Sequence, residues 1–95
     1  MITIHVTKDQ ITVTGHARAG PVGQDIVCAA VSALCLTLEK SITDLTEDYP
    51  DIEMESGNFI LGIGNLSEKS KTLVDSFFLG ICKIADAYPA HVRMI

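Results

Sequence analysis

"GHARAGPVGQDIVCAAVSAL", residues 15–34, is where the chain changes its period. Before it, apolar residues alternate: Ile2, Ile4 and Val6, then Ile11 and Val13, with Lys8-Asp9-Gln10 between. That alternation predicts a β-hairpin with one buried face. After it, Ile26, Ala30, Leu34, Leu38 and Ile42 recur at every fourth position with Val27 and Val31 beside them, which predicts a helix. Gly15, Gly20, Pro21 and Gly23 punctuate the change, so a loop over 16–24 joins strand to helix. Asp25 stands where an N-cap belongs.

Downstream, the helix should end by about Leu45, since Pro50 forbids continuation. Ala29, Ala33 and Leu36 make its far side apolar as well, so it should be covered twice: by the sheet, and by a second helix or a second subunit. Asp44, Glu47 and Asp48 oppose the dipole at a helix C-terminus, so either the helix stops early or those charges serve something else. Ile52–Ile63 reads as a second hairpin turning at Gly57-Asn58, pairing Ser56 with Phe59, Met54 with Leu61 and Ile52 with Ile63. Ser67 is the N-cap of a second helix whose apolar positions are Leu73, Val74, Phe77, Phe78, Ile81, Ile84 and Ala85. Tyr88-Pro89 stops it, and His91–Ile95 makes a short last strand. The predicted order is ββαββαβ, an α+β fold in which a small sheet packs with two helices, one domain over residues 1–95.

With 95 residues, 47% of them hydrophobic and none tryptophan, the core must be aliphatic. So small and apolar a chain is expected to leave an apolar face for a homodimer. A net charge of −5, from 7 basic against 12 acidic residues, excludes a basic stripe and with it nucleic-acid binding. Asp44, Glu47, Asp48, Asp51, Glu53 and Glu55 form an acidic run, either a solvated rim or a landing patch for a basic partner. The alternating N-terminus lacks the basic flank and apolar core of a signal peptide. The run Ile26–Leu38, broken by Ser32 and Thr37, reads as too short to span a membrane. The expected location is the cytoplasm, where Cys28, Cys35 and Cys82 would stay thiols.

Of the three cysteines, Cys28 is the candidate for chemistry. Behind an Asp25 cap it falls at N3, and helical side chains lean toward the N-terminus, so its sulfur points at the amides and the positive end of the dipole. Such positions favour thiolates, although the Asp25 carboxylate opposes this. His16, at the end of the second strand, can supply a cationic partner and a base. The bland alternative is a small core residue, and Cys35 and Cys82, deep in their helices, fit it. His5 and His91 receive no role. No Cys/His pair has chelating spacing, so neither metal nor cofactor is expected. The glycines without a Gly-Lys-Ser/Thr ending make a weak phosphate loop and a better pliable one.

Taken as a unit, Gly15-His16-Ala17, Gly20, Gly23, Asp25-Ile26-Val27-Cys28-Ala29-Ala30 and Ser32 resemble the motif of the ribosomal-processing cysteine protease Prp family. The resemblance implies a small α+β homodimer that removes a short N-terminal extension from a large-subunit ribosomal protein, or, as in phage relatives, processes a capsid or scaffold protein. It implies Cys28 as nucleophile and His16 as base. The intervening loop, with Gly20 and Gly23, would cover the site. Asp25 would cap the helix, orient His16, or both, and Ser32 would hydrogen-bond near Cys28. An apolar groove should take the hydrophobic, aromatic-containing side of the substrate, and the acidic run could face its basic side. Helix-start amides would hold the oxyanion. A non-catalytic binding or assembly module of the same fold is the rival. A thiol redox sensor is a remote one, because Cys35 lies about 10 Å from Cys28 along a helix, too far for a disulfide.

Overall fold

The computed structural model describes residues 1–17, 20 and 25–95. Its elements are β1 (Ile2–Val6), β2 (Gln10–Gly15), α1 (Ile26–Leu45), β3 (Ile52–Glu55), β4 (Asn58–Gly62), α2 (Glu68–Ala87) and β5 (Val92–Met94). The ββαββαβ order is the predicted one. The strands form one sheet in the order β3-β4-β2-β1-β5, antiparallel except where β5 runs parallel to β1.

Register explains how the core forms. Ile4 sits opposite Val13 and Val6 opposite Ile11, Val13 opposite Phe59 and Ile11 opposite Leu61, and Ile2 opposite Val92. Residues paired across strands share a face, so these apolar side chains all project from one side of the sheet. The other side carries Thr3, His5, Thr12, Thr14, Glu53 and Arg93. The two helices cover the apolar face with Val27, Val31, Cys35, Leu38 and Ile42 from α1 and Phe77 and Ile81 from α2, all in one buried cluster. Phe59 and Phe77 meet with ring centroids 6.4 Å apart.

Three expectations needed correction. The second hairpin turns at Ser56-Gly57, not Gly57-Asn58, so Met54 faces Phe59 and Ile52 faces Leu61. The reason is Gly57, whose φ of +75° belongs at the end of the turn, releasing Asn58 to begin β4. The slip is two residues, so each side chain keeps its face. Second, the buried stripe of α1 is Val27-Val31-Cys35-Leu38-Ile42. Ile26 and Leu36 are 65% and 55% exposed, and Ala29 and Ala33 are exposed too. The α2 helix meets α1 beside the buried stripe, where Leu34 packs on Gly80, and leaves that far side exposed. Phe78 of α2 is likewise more exposed than expected. Third, α1, which ends at Leu45 as expected, is by length and composition apolar enough to cross a membrane, whereas the run Ile26–Leu38 read as too short. Its stripe lies in the sheet's core instead.

The acids at and beyond the end of α1 have separate tasks. Asp44 pairs with Lys40 across a 3.1 Å salt bridge. Asp48 turns away from α1 and holds the start of α2: its carboxylate accepts from the Ser67 amide (3.0 Å), the Ser67 hydroxyl (2.7 Å) and the fully buried Ser70 hydroxyl. There the dipole of α2 favours it. Those hydrogen bonds, Ser70 and Ser67 foremost, hold its carboxyl below the ordinary carboxylate range. A lowered native value means the stabilisation is complete above the unfolded value of about 3.9 and is lost as pH falls through the native one. Asp48→Ala should therefore lower the melting temperature by several degrees at pH 7, and the gap to wild type should close in strong acid. A gap that does not change with pH would show that the carboxylate's charge is not what holds α2.

Candidate active site

The strand end that carries His16 is fixed by two glycines. Gly15 has a φ of +94°, and a Cβ there would collide with the Met1 carbonyl oxygen, so no other residue fits that corner without strain. Its amide donates to the Gly57 carbonyl (2.9 Å), tying the end of β2 to the β3–β4 turn. The His16 imidazole then lies over Gly57: a Cβ on Gly57 would stand 2.6 Å from Nε2. The His16 carbonyl accepts from the Met1 amino group at 2.6 Å.

On the facing element, Asp25 caps α1 as expected, accepting from the amides of Val27 (3.0 Å) and Cys28 (2.9 Å). The Ala29 amide is taken by the Asp25 carbonyl (3.1 Å). Three amides of the first turn are thus engaged, which corrects the expectation that they stand ready for an oxyanion. The half-buried Cys28 sulfur receives a different donor, the Ala17 amide, at 3.2 Å.

Cys28 and His16 line one open cleft of about 380 Å³, together with Ser32, Leu36, Met54 and Phe59. Among the described residues no hydrogen bond joins the His16 ring to Cys28. Ser32 is on the cleft wall one turn beyond Cys28. Gly20 lies on an exposed bend, while Gly23 and most of the covering loop expected over 16–24 lie outside the described residues. Of the acidic run, only Glu55 reaches the cleft.

The other two thiols differ in setting, although Cys35 touches the same cleft from its inner end. Cys35 is in the core, and burial pushes its thiol up to about 11, which keeps it protonated and inert. Cys82 sits half-buried with its sulfur 3.8 Å from that of Met94. Sequence reasoning missed two neighbours of the site. Gly57 was visible as a turn residue but not as the floor under His16. His91, given no role, reaches the Ala17 carbonyl with Nδ1 at 2.9 Å. Only the fold brings residues 74 positions apart together.

Comparison with known proteins bears on this cleft. The family model described as Cysteine protease Prp matches residues 1–93. The ribosomal processing cysteine protease Prp of Staphylococcus aureus is 30% identical over 103 residues, covering 99% of this chain and 97% of the relative. That of Mycoplasma pneumoniae is 32% identical over 87 residues, covering 81% and 87%. The crystal structure of the essential ribosomal processing protease Prp of S. aureus, in complex with a covalently linked product peptide, matches with a TM-score of 0.89 at 27% identity, over 99% of this chain and 97% of that one. With the match running almost end to end in sequence and in fold, this chain belongs to the cysteine protease Prp family.

Proposed function

We propose that this peptidase removes an N-terminal extension from a large-subunit ribosomal protein, with Cys28 as nucleophile and His16 as its base. The observation that carries the reading is the shared cleft: a first-turn thiol that already accepts a backbone N–H, and an imidazole seated over Gly57 that lines the same cleft. The ribosomal substrate rests on the relatives, which are named for ribosomal processing. The phage capsid or scaffold substrate has no such support.

In this mechanism His16 removes the Cys28 proton and the thiolate attacks the scissile carbonyl. The tetrahedral intermediate collapses to a thioester as the imidazolium protonates the departing amine. Water, deprotonated by His16, then hydrolyses the thioester. The apolar walls Leu36, Met54 and Phe59 suit hydrophobic residues before the cleaved bond. Asp25 serves this by holding the first turn of α1, and Ser32 by presenting a hydroxyl to the same cleft. With a ribosomal protein as substrate, the enzyme would act in the cytoplasm. The test is incubation with a ribosomal protein carrying its extension, followed by mass spectrometry of the new N-terminus. An untouched substrate would refute the assignment.

The protein is further proposed to act as a homodimer. Ile26, Leu36 and the small residues Ala29 and Ala33 give α1 an exposed apolar side, with Leu36 at the edge of the cleft. Sedimentation at micromolar concentration should give twice the chain mass of 10.2 kDa. A monomer there would contradict it.

A further inference from the structure

We propose that His91 is a positioning residue for the Cys28 thiolate, acting through Ala17. This rests on Cys28 being the nucleophile. Ala17 is held at three points. Its methyl group is buried at 2% exposure, its amide donates to the Cys28 sulfur at 3.2 Å, and its carbonyl lies 2.9 Å from His91 Nδ1. A carbonyl only accepts, so Nδ1 must carry the proton. That holds for the neutral Nδ1–H tautomer and for the imidazolium alike, so the contact does not require the ring to be charged.

The backbone of His91 is itself anchored on both sides. Its amide donates to the Tyr88 carbonyl (2.9 Å), and its carbonyl accepts from Ile2 at 2.8 Å, where β5 joins β1. The ring therefore presents a fixed donor from the sheet to the residue that follows His16. An N–H aimed at sulfur is worth most when the sulfur is charged, because a charge-assisted hydrogen bond is about twice as strong as a neutral one. With the Val27 and Cys28 amides held by Asp25, the Ala17 amide is the backbone donor that meets the sulfur among the described residues. Anchoring the Ala17 carbonyl keeps that amide aimed. His91 thus favours the thiolate without touching substrate, a role distinct from proton transfer by His16.

The test compares wild type, His91→Leu and His91→Asn. Asn places an amide nitrogen about where Nδ1 stands, and Leu offers no donor. The rate of Cys28 alkylation by iodoacetamide is followed from pH 6 to 10 by mass spectrometry, with peptide cleavage measured alongside. His91→Leu should slow alkylation at neutral pH about tenfold, equivalent to one unit of pH. The limiting rate in alkali, where every thiol is ionised, should stay within about twofold. Cleavage should fall in parallel, and His91→Asn should restore most of both. Wild-type behaviour of His91→Leu, or a loss that Asn does not repair, would overturn the proposal. A wild-type measurement stands beside these in case the Leu variant folds poorly. Nitrogen-15 spectra of the wild type above pH 8 should show His91 as the Nδ1–H tautomer, and an Nε2–H tautomer would overturn it. The nucleophile itself is judged separately, by whether wild type cleaves and Cys28→Ser does not.

Discussion

Cys28→Ser should reduce peptide cleavage by about 10⁴-fold or more, the order expected when a covalent nucleophile is removed. The substitution is nearly isosteric, and a serine hydroxyl can still accept the Ala17 amide that meets the sulfur at 3.2 Å. Fold and melting temperature should therefore hardly change, which isolates the chemistry. What is lost is ionisation: a hydroxyl paired with one exposed imidazole does not become an alkoxide at neutral pH. Cys35→Ser provides the contrast. Its thiol is in the core, and a hydroxyl left there without a partner costs about 1–3 kcal/mol, so that variant should be less stable yet active per folded molecule. Cys82→Ser should be mild in both respects. Full turnover by Cys28→Ser would end the case for this thiol, whatever the family.

Much of this arrangement can be read from the order of residues, for a physical reason. Period and punctuation are local properties. The alternation Ile2-Ile4-Val6 and Ile11-Val13, the Asp25 cap, the Ser67 cap and the Tyr88-Pro89 stop each act within a few positions, and each is where the chain predicts it. Cys28 falls in the first turn of α1 because Asp25 starts the helix, so its place could be seen before any fold was known.

What the sequence hides is whatever depends on two distant segments meeting. Ile26 and Leu36 look as apolar as Val27 and Val31, and only the direction in which α1 lies on the sheet decides which pair is buried. Asp48 looks misplaced at a helix C-terminus until Ser67 and Ser70 arrive from the next helix. The acidic run loses its unity in the same way: one member pairs with Lys40, one holds the Ser67 cap of α2 and one reaches the cleft. Gly57 and His91 meet the His16-Ala17 segment only through sheet pairings, β2 with β4 and β1 with β5.

His16→Ala should lower kcat/KM by about 10²- to 10⁴-fold, the range for a lost general acid–base group. The ring lies on Gly57, at the β3–β4 turn that β2 grips through the Gly15 amide, and faces the cleft that Cys28 lines. Without a hydrogen bond to Cys28 among the described residues, an imidazole acting as the proposed base would complete its approach when peptide fills the cleft. A base that tightens only in the substrate complex is a recognised pattern. Two functions are lost together in this variant: removal of the thiol proton, and delivery of a proton to the departing amine. Raising the pH can supply the first, since hydroxide takes a thiol proton without help from a neighbouring base. It cannot supply the second, so His16→Ala should remain slow at pH 9, unlike a variant that has merely lost thiolate stabilisation. His5→Ala, an exposed strand residue on the sheet's polar face, is the control and should be near wild type. Recovery of His16→Ala to wild-type rates in mild alkali would reduce His16 to an electrostatic partner of the thiolate. Equal activities for His16→Ala and His5→Ala at every pH would remove it from the mechanism altogether.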